Sequence, residues 1–297
     1  MTAIINIAMA LLVAPLFGGW VRKYIRARFH SRQGPPVLQP FYDIFKLLGK
    51  EDLRSTPSPI IDFGPPAVLA AMLTAALLTP MGHPAPLGEY GDLIVFVHMI
   101  TIAVVATILV GLATPSPFAA VGSAREIMMH LVVEPTLIIA LVTAAVKARS
   151  VMLGDMADHV LMFGWTPSIV ISVLALLASL QAQMGKLPFD IVEADQEVMG
   201  GPFVEISGPP LALFHWAQFA KQMVYTSLLV AIFFPWGAEQ LFPLNLLIHL
   251  LKVFAVFVIS GLIDVLSPRI RIEQAMFYFV IVILMAIAGL GLAVAGY

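Results

Sequence analysis

The sequence predicts an all-α, polytopic membrane bundle of about eight spans with both termini outside, because roughly 20 apolar residues cross a bilayer as a helix and such runs recur along the chain. Two further observations support it. Hydrophobic residues make up 60% of the chain and charged ones 11%, where a soluble domain has about 45–50% and about 25%. Lysine and arginine collect in alternate connections, as they do on the cytoplasmic side of membrane proteins.

Taken in order, apolar runs place spans at 2–21, 60–81, 91–112 and 127–147, then 167–184, 212–234, 244–267 and 275–295. The runs are continuous and lack period-two alternation, so helices rather than a closed barrel satisfy the backbone in lipid. The 297 residues read as a single integral membrane domain. The opening run lacks a basic flank and is long enough to span, which predicts a retained first helix rather than a cleaved signal.

Twelve cations, from Arg22 and Lys23 through Arg26, Arg28, Arg32, Lys46, Lys50, Arg54, Arg125 and Lys186 to Arg269 and Arg271, fall in alternate connections. Only Lys147 and Arg149 flank the other side, so the alternate connections are predicted to face the cytoplasm.

The first of these connections carries a rigid Gly34–Pro35–Pro36 turn followed by Val37, Leu38, Phe41, Ile44, Phe45 and Leu48 at helical spacing. This segment is too short to span and is predicted to lie along the interface. As a membrane-surface anchor it would bind anionic headgroups through its arginines; as a ledge it would seat a soluble partner.

Between the fifth and sixth spans, Asp190, Glu193, Asp195, Glu197 and Glu205 gather five of the chain's 18 acidic residues, with Lys186 the one cation in that segment. A helix after Pro188 would set Asp190, Glu193 and Glu197 on one stripe, where like charges repel. Phe189, Ile191, Val192 and Val198 are interleaved among them, and crowding with desolvation predicts carboxyls that hold protons tightly enough to pass them on. A solvated acidic loop is the plainer alternative.

Ser123 and Glu126 have capping-box spacing and predict a helix start. Glu134 lies deeper in the same run, where a carboxylate is expensive and marks function, and Pro135 after it invites a break. Lys221 and Lys252 also fall within spans and call for buried acids such as Glu134 and Asp264, or for a polar cavity. His98, His130 and His249 are weaker signals, since a lone intramembrane histidine is as often a packing residue as a relay.

Cysteine is absent, so the chain offers no thiolate to a disulfide or a redox metal, and no histidines stand in an H-x-x-x-H pair. The net charge of −2 marks no nucleic-acid surface.

The segments 32–51, 116–135 and 184–208 together resemble, in order and spacing, the membrane subunit of group 4 membrane-bound nickel–iron hydrogenases of the formate hydrogenlyase and carbon-monoxide-induced type. They are similar also to NADH dehydrogenase subunit 1 of respiratory complex I, whose longer stretch before the "LQP" motif is missing here. The resemblance implies an anchoring and energy-coupling subunit in the cytoplasmic membrane, with the redox arm on the cytoplasmic side. It implies partner chains: hydrogenase large and small subunits, a ferredoxin-like iron–sulfur subunit and antiporter-like membrane subunits, which hold the nickel–iron centre and the iron–sulfur clusters.

Glu134, Asp190, Glu193, Glu197 and Glu205 match acidic positions of the family's ion pathway. Gln183 and Gln218 stand where glutamates are expected, and Lys221, on the same span as Gln218, is a candidate substitute relay. Arg26, Arg28, Arg32, Asp43, Lys46 and Arg125 are the candidates for seating the arm. A quinone-site subunit of complex I type and a stand-alone secondary transporter are the competing readings; the latter usually shows two related halves, and none is evident. A purely structural anchor is a further alternative, in which the acids would tolerate amides.

Overall fold

The computed structural model describes residues 2–53, 56–192 and 194–296, so predicted pathway residue Glu193 and the cation Arg54 lie outside the described residues. Among the described residues ten helices of ten residues or more form the bundle: α1 (Thr2–Phe29), α2 (Gln39–Leu48), α3 (Pro59–Leu78), α4 (Leu93–Ala113), α5 (Pro117–Ala148), α6 (Leu153–Phe163), α7 (Pro167–Gln183), α8 (Gly208–Phe233), α9 (Leu244–Leu266) and α10 (Ile272–Val294). Six of them, α1, α3, α4, α5, α9 and α10, are long and apolar enough to cross a membrane. Helix α7 is apolar but shorter.

Helix α8 has the length, at 26 residues, yet carries His215, Gln218, Lys221 and Gln222. It packs against α1, α2, α3, α6, α7 and α9, and nearly all of it beyond Ala217 is buried. Protein rather than lipid surrounds Gln218, Lys221 and Gln222, which is how a bundle tolerates them, while His215 near the start of the helix is exposed.

The predicted spans correspond to helices with shifted ends, the largest shift being at α5. That helix begins at Pro117, after Ser116, and not at Ser123. Proline suits the first helical position because its missing N–H has no partner there in any case. Ser123 lies one and a half turns inside and is fully buried, so the expected capping box is absent and Glu126 has another use. The early turns form because small residues let another segment approach: a Cβ on Gly122 would stand 2.5 Å from the Cα of Gly201, in the turn Gly201–Phe203. Pro135 does not break α5, which runs through it to Ala148.

Helix α2 forms as predicted and seats Pro40 and Ile44 against the bundle, leaving Leu38, Tyr42 and Phe45 exposed. It lies against α1 and α8. Helix α6 was not foreseen. Its 11 residues are too few to span, and Leu153, Met156 and Val160 form its buried stripe.

Candidate functional site

Among the described residues, the segment after Pro188 is not the acidic helix the spacing allowed; it has one α-helical turn, Asp195–Val198, and a 3-10 turn, Gly201–Phe203. Asp190 and Glu197 therefore do not share a stripe, and each has its own arginine. Arg269 Nη2 donates to Asp190 Oδ2 at 2.8 Å, and Arg125 Nη1 donates to Glu197 Oε2 at 2.6 Å and to the Ile191 carbonyl at 3.2 Å. The crowding expected from sequence is relieved by cations that lie 79 and 72 residues away in the chain. Arg125, a docking candidate, is thus engaged within the chain.

The two acids also differ in exposure. The Asp190 side chain is 27% exposed and that of Glu197 is 55% exposed. Glu205 is exposed too. The predicted buried cluster is in this respect divided, with Asp190 inside and Glu197 and Glu205 at the surface.

Asp190 opens onto a narrow cavity of about 90 Å³ open to the centres of water molecules, enough for several waters. Three helices and one loop bring chemistry to it. Helix α5 supplies Glu126 and His130, α8 supplies Gln218, Lys221 and Tyr225, and the end of α7 supplies Gln183. The loop adds Gly185 and Phe189 beside Asp190. Gly185 sits at φ +65°, a backbone conformation that favours glycine, and a Cβ there would stand 2.6 Å from Nε2 of Gln218, whose side chain would have to give way. Both glutamines that replace expected glutamates face this cavity with Lys221.

Lys221 thus reaches a polar cavity, one of the two expected outcomes. Lys252 instead caps backbone: its Nζ donates to the Phe234 carbonyl at 2.7 Å and to the Trp236 carbonyl. Asp264 is occupied elsewhere, accepting from the Leu187 N–H at 3.2 Å and lying within electrostatic reach of Lys186. Burial drives the Lys186 ammonium from its ordinary 10.5 down to about 8, against the pull of Asp264 and with the repulsion of Arg22. Its Nζ lies 5.0 Å from the centre of the Phe257 ring.

Glu134 is held away from the cavity wall. Thr101 Oγ1 on α4 donates to its Oε1 at 2.5 Å, and His130 Nε2 stands 2.8 Å from its Oε2. Sequence reasoning passed over His130 and assigned Glu126 to a cap. The signal was present in the spacing, since Glu126, His130 and Glu134 repeat every four residues and so share one helix face.

Of the docking candidates, Arg26, Arg28, Arg32, Asp43 and Lys46 are all exposed, on the last turns of α1, the connection after it and α2. They share the end of the bundle that carries the Asp190 loop.

Comparison with known proteins matches residues 1–295 to the family described as NADH dehydrogenase. Hydrogenase-4 component C of Escherichia coli K12 is 38% identical over 272 residues, covering 88% of this chain and 85% of that protein. Formate hydrogenlyase subunit 4 of the same organism is 36% identical over 282 residues, 91% of each. Among solved structures, a chain of the membrane-bound sulfane sulfur reductase, an archaeal respiratory membrane complex, superposes with a TM-score of 0.87 at 27% identity, covering 98% of both chains.

Proposed function

Because the chain belongs to the NADH dehydrogenase family, we propose that it is the membrane-anchoring and energy-coupling subunit of a multisubunit energy-converting nickel–iron hydrogenase. The similarity to hydrogenase-4 component C and formate hydrogenlyase subunit 4 supports the hydrogenase assignment. With no cysteine to offer, this chain leaves the nickel–iron centre and the iron–sulfur clusters to its partners: the large and small subunits and a ferredoxin-like subunit. The exposed basic residues Arg26, Arg28 and Arg32, with Asp43 and Lys46 on α2, form the seat of that arm on the cytoplasmic side. Antiporter-like membrane subunits pack alongside, both termini face outward, and lipid covers the remaining surface.

The single observation that carries the coupling role is the cavity joining Asp190, Glu126 and Lys221 below that seat. Redox events in the arm shift the charge felt by Asp190 and its neighbours. Water in the cavity then exchanges protons with carboxylates, which serve as acid and base in turn. Glu134 is the inner station, while Glu197 and Glu205 lie at the surface approach; Glu193 is assigned to the same route from its place in the sequence alone.

The test is Glu134→Gln in the assembled complex, reading protons translocated per hydrogen formed in inverted membrane vesicles. The ratio is expected to drop at least about tenfold, a modest fraction of what a positioned proton-transfer group contributes. An unchanged ratio overturns the coupling role.

The likeness to the sulfane sulfur reductase chain favours one second reading, because the same membrane platform can carry an arm of different chemistry. Metal analysis of the purified complex separates them: nickel accompanying iron is expected, and iron without nickel would replace the hydrogenase assignment.

A further inference from the structure

The proton route proposed above has a step between the cavity and Glu134, and His130 both lines the cavity and lies 2.8 Å from that carboxylate. Glu126, His130 and Glu134 stand at i, i+4 and i+8 on α5, a single stripe that advances about 12 Å at 1.5 Å per residue. Glu126 and His130 line the cavity and Glu134 does not. The side chains of His130 and Glu134 are 17% and 18% exposed, and the imidazole Nε2 is buried 2.8 Å from Oε2 of the carboxylate, close enough for transfer once the ring turns its N–H into line for a hydrogen bond, which it does not make as it stands. The carboxylate is fixed from the other side by Thr101, so it cannot turn toward the cavity without giving up that bond. A proton moving along this face from cavity water to Glu134 meets the imidazole first.

We propose that His130 is the relay that hands protons between the cavity and Glu134, rather than a packing residue of α5; the inference rests on the proton-route reading given above. An imidazole suits the step because it can take a proton on one nitrogen and release one from the other. A hydronium ion in the cavity gives its proton to Nδ1 and becomes water. The Nε2–H bond breaks as an O–H bond forms at Oε2 of Glu134, and the ring is neutral again with its proton on the opposite nitrogen. The carboxylate has become a carboxylic acid, and the reverse sequence returns the proton. Glu126, one turn nearer the end that bears the Asp190 loop, supplies a negative charge that draws cations into the cavity mouth.

The alternative, a histidine kept for packing, makes a different prediction about what replaces it. Inverted vesicles carrying the assembled complex with His130→Ala should show the ratio of protons moved to hydrogen formed reduced at least about tenfold. Imidazole added to the medium should restore part of that ratio, because it fits the space vacated by the ring and carries a proton as the ring did. His130→Gln keeps a donor near Glu134 and much of the volume but cannot pass a proton onward, so its ratio should stay low with or without imidazole.

A wild-type ratio in His130→Gln, or a low ratio in His130→Ala that imidazole leaves untouched, overturns the relay. Should the alanine variant fail to assemble, the glutamine variant alone decides, with recovery of the intact complex as the control. Glu134→Gln in the same vesicles separates the two claims. A low ratio there beside a normal His130→Gln removes only the relay, whereas normal ratios in both remove the proton-route reading itself.

Discussion

Among the described residues, one cavity lies at each end of the bundle, and the smaller has the chemistry. The larger, about 620 Å³, lies among α6, the end of α8, the start of α9 and the connection after α3. Its acids Glu89, Asp155, Asp158 and Glu239 are exposed at the rim, its lysine, Lys252, is spent on two carbonyls, and its imidazoles are those of His83, held at the Pro84 carbonyl, and His249. The smaller, about 90 Å³, gathers carboxylate, imidazole and ammonium groups from helices distant in sequence. Volume alone would choose the wrong end. What distinguishes a proton pathway is the convergence of titratable groups on enclosed water, where the surroundings do not dilute their interactions.

The contrast is broken most directly by exchanging the roles of the two intramembrane lysines. Lys221→Ala, in the small cavity, is expected to lower protons translocated per hydrogen formed by tenfold or more, on the order of a lost proton-transfer group. Lys252→Met, at the large cavity, leaves that ratio unchanged and shows up as stability, roughly 1 kcal/mol for carbonyls that lose a donor. Thermal unfolding and vesicle translocation together measure both. A Lys252 variant that stops translocation, beside a Lys221 variant that does not, would reassign the pathway to the other end.

Acidity sharpens the same comparison. Near the small cavity, the folded protein lowers the Lys186 ammonium from 10.5 to about 8 through burial. Between those pH values the unfolded chain binds the proton and the folded chain does not, so stability rises with pH across that window. The penalty for burying the charge is fully present below about pH 8. The melting temperature of the complex should therefore climb from pH 8 toward 10, by the equivalent of roughly 3 kcal/mol at most, and Lys186→Met should flatten the climb.

At the opposite end, burial and the charge of Lys147 lower the His159 imidazole below 6.5. The unfolded chain then binds more protons as the pH falls through 6.5, and stability is lost in that acid window instead. His159→Gln should remove the acid-side loss and leave the alkaline rise intact.

Much of this architecture was legible because lipid imposes a length rule on apolar helices, which is why α3, α4, α9 and α10 begin and end within a few residues of where their hydrophobic runs place them. The rule fails where protein replaces lipid. The early turns of α5 are too rich in small and polar residues to register as a span, and they exist because Gly122 admits Gly201. Helix α6 escaped notice because 11 residues with one apolar stripe resemble a loop.

The site was legible in composition and not in arrangement. Asp190, Glu134 and Lys221 stood out as charges in greasy surroundings, but Arg125 and Arg269 reach their acids across 72 and 79 residues, and no local spacing announces such a pair. The repeat of Glu126, His130 and Glu134 was local and readable. It was missed because a capping explanation for Glu126 had already removed the first member of the stripe.

The smallest effect is expected at Glu197, and it tests whether the surface acids belong to the cavity's chemistry. Its ion pair with Arg125 is short, 2.6 Å, but the glutamate is 55% exposed. Water and salt compete for both partners there, so the pair is worth at most about 0.5 kcal/mol. Glu197→Gln should therefore shift thermal unfolding only slightly at low salt and less near 1 M, where the screening length falls to about 3 Å. Arg125 retains its bond to the Ile191 carbonyl, so the loop keeps its place after the substitution. Translocation should fall by less than in Lys221→Ala, since water can deliver protons to Asp190 without help from an exposed carboxylate. A loss as large as that of Lys221→Ala would move the entrance of the pathway out from the cavity to the surface beneath the arm.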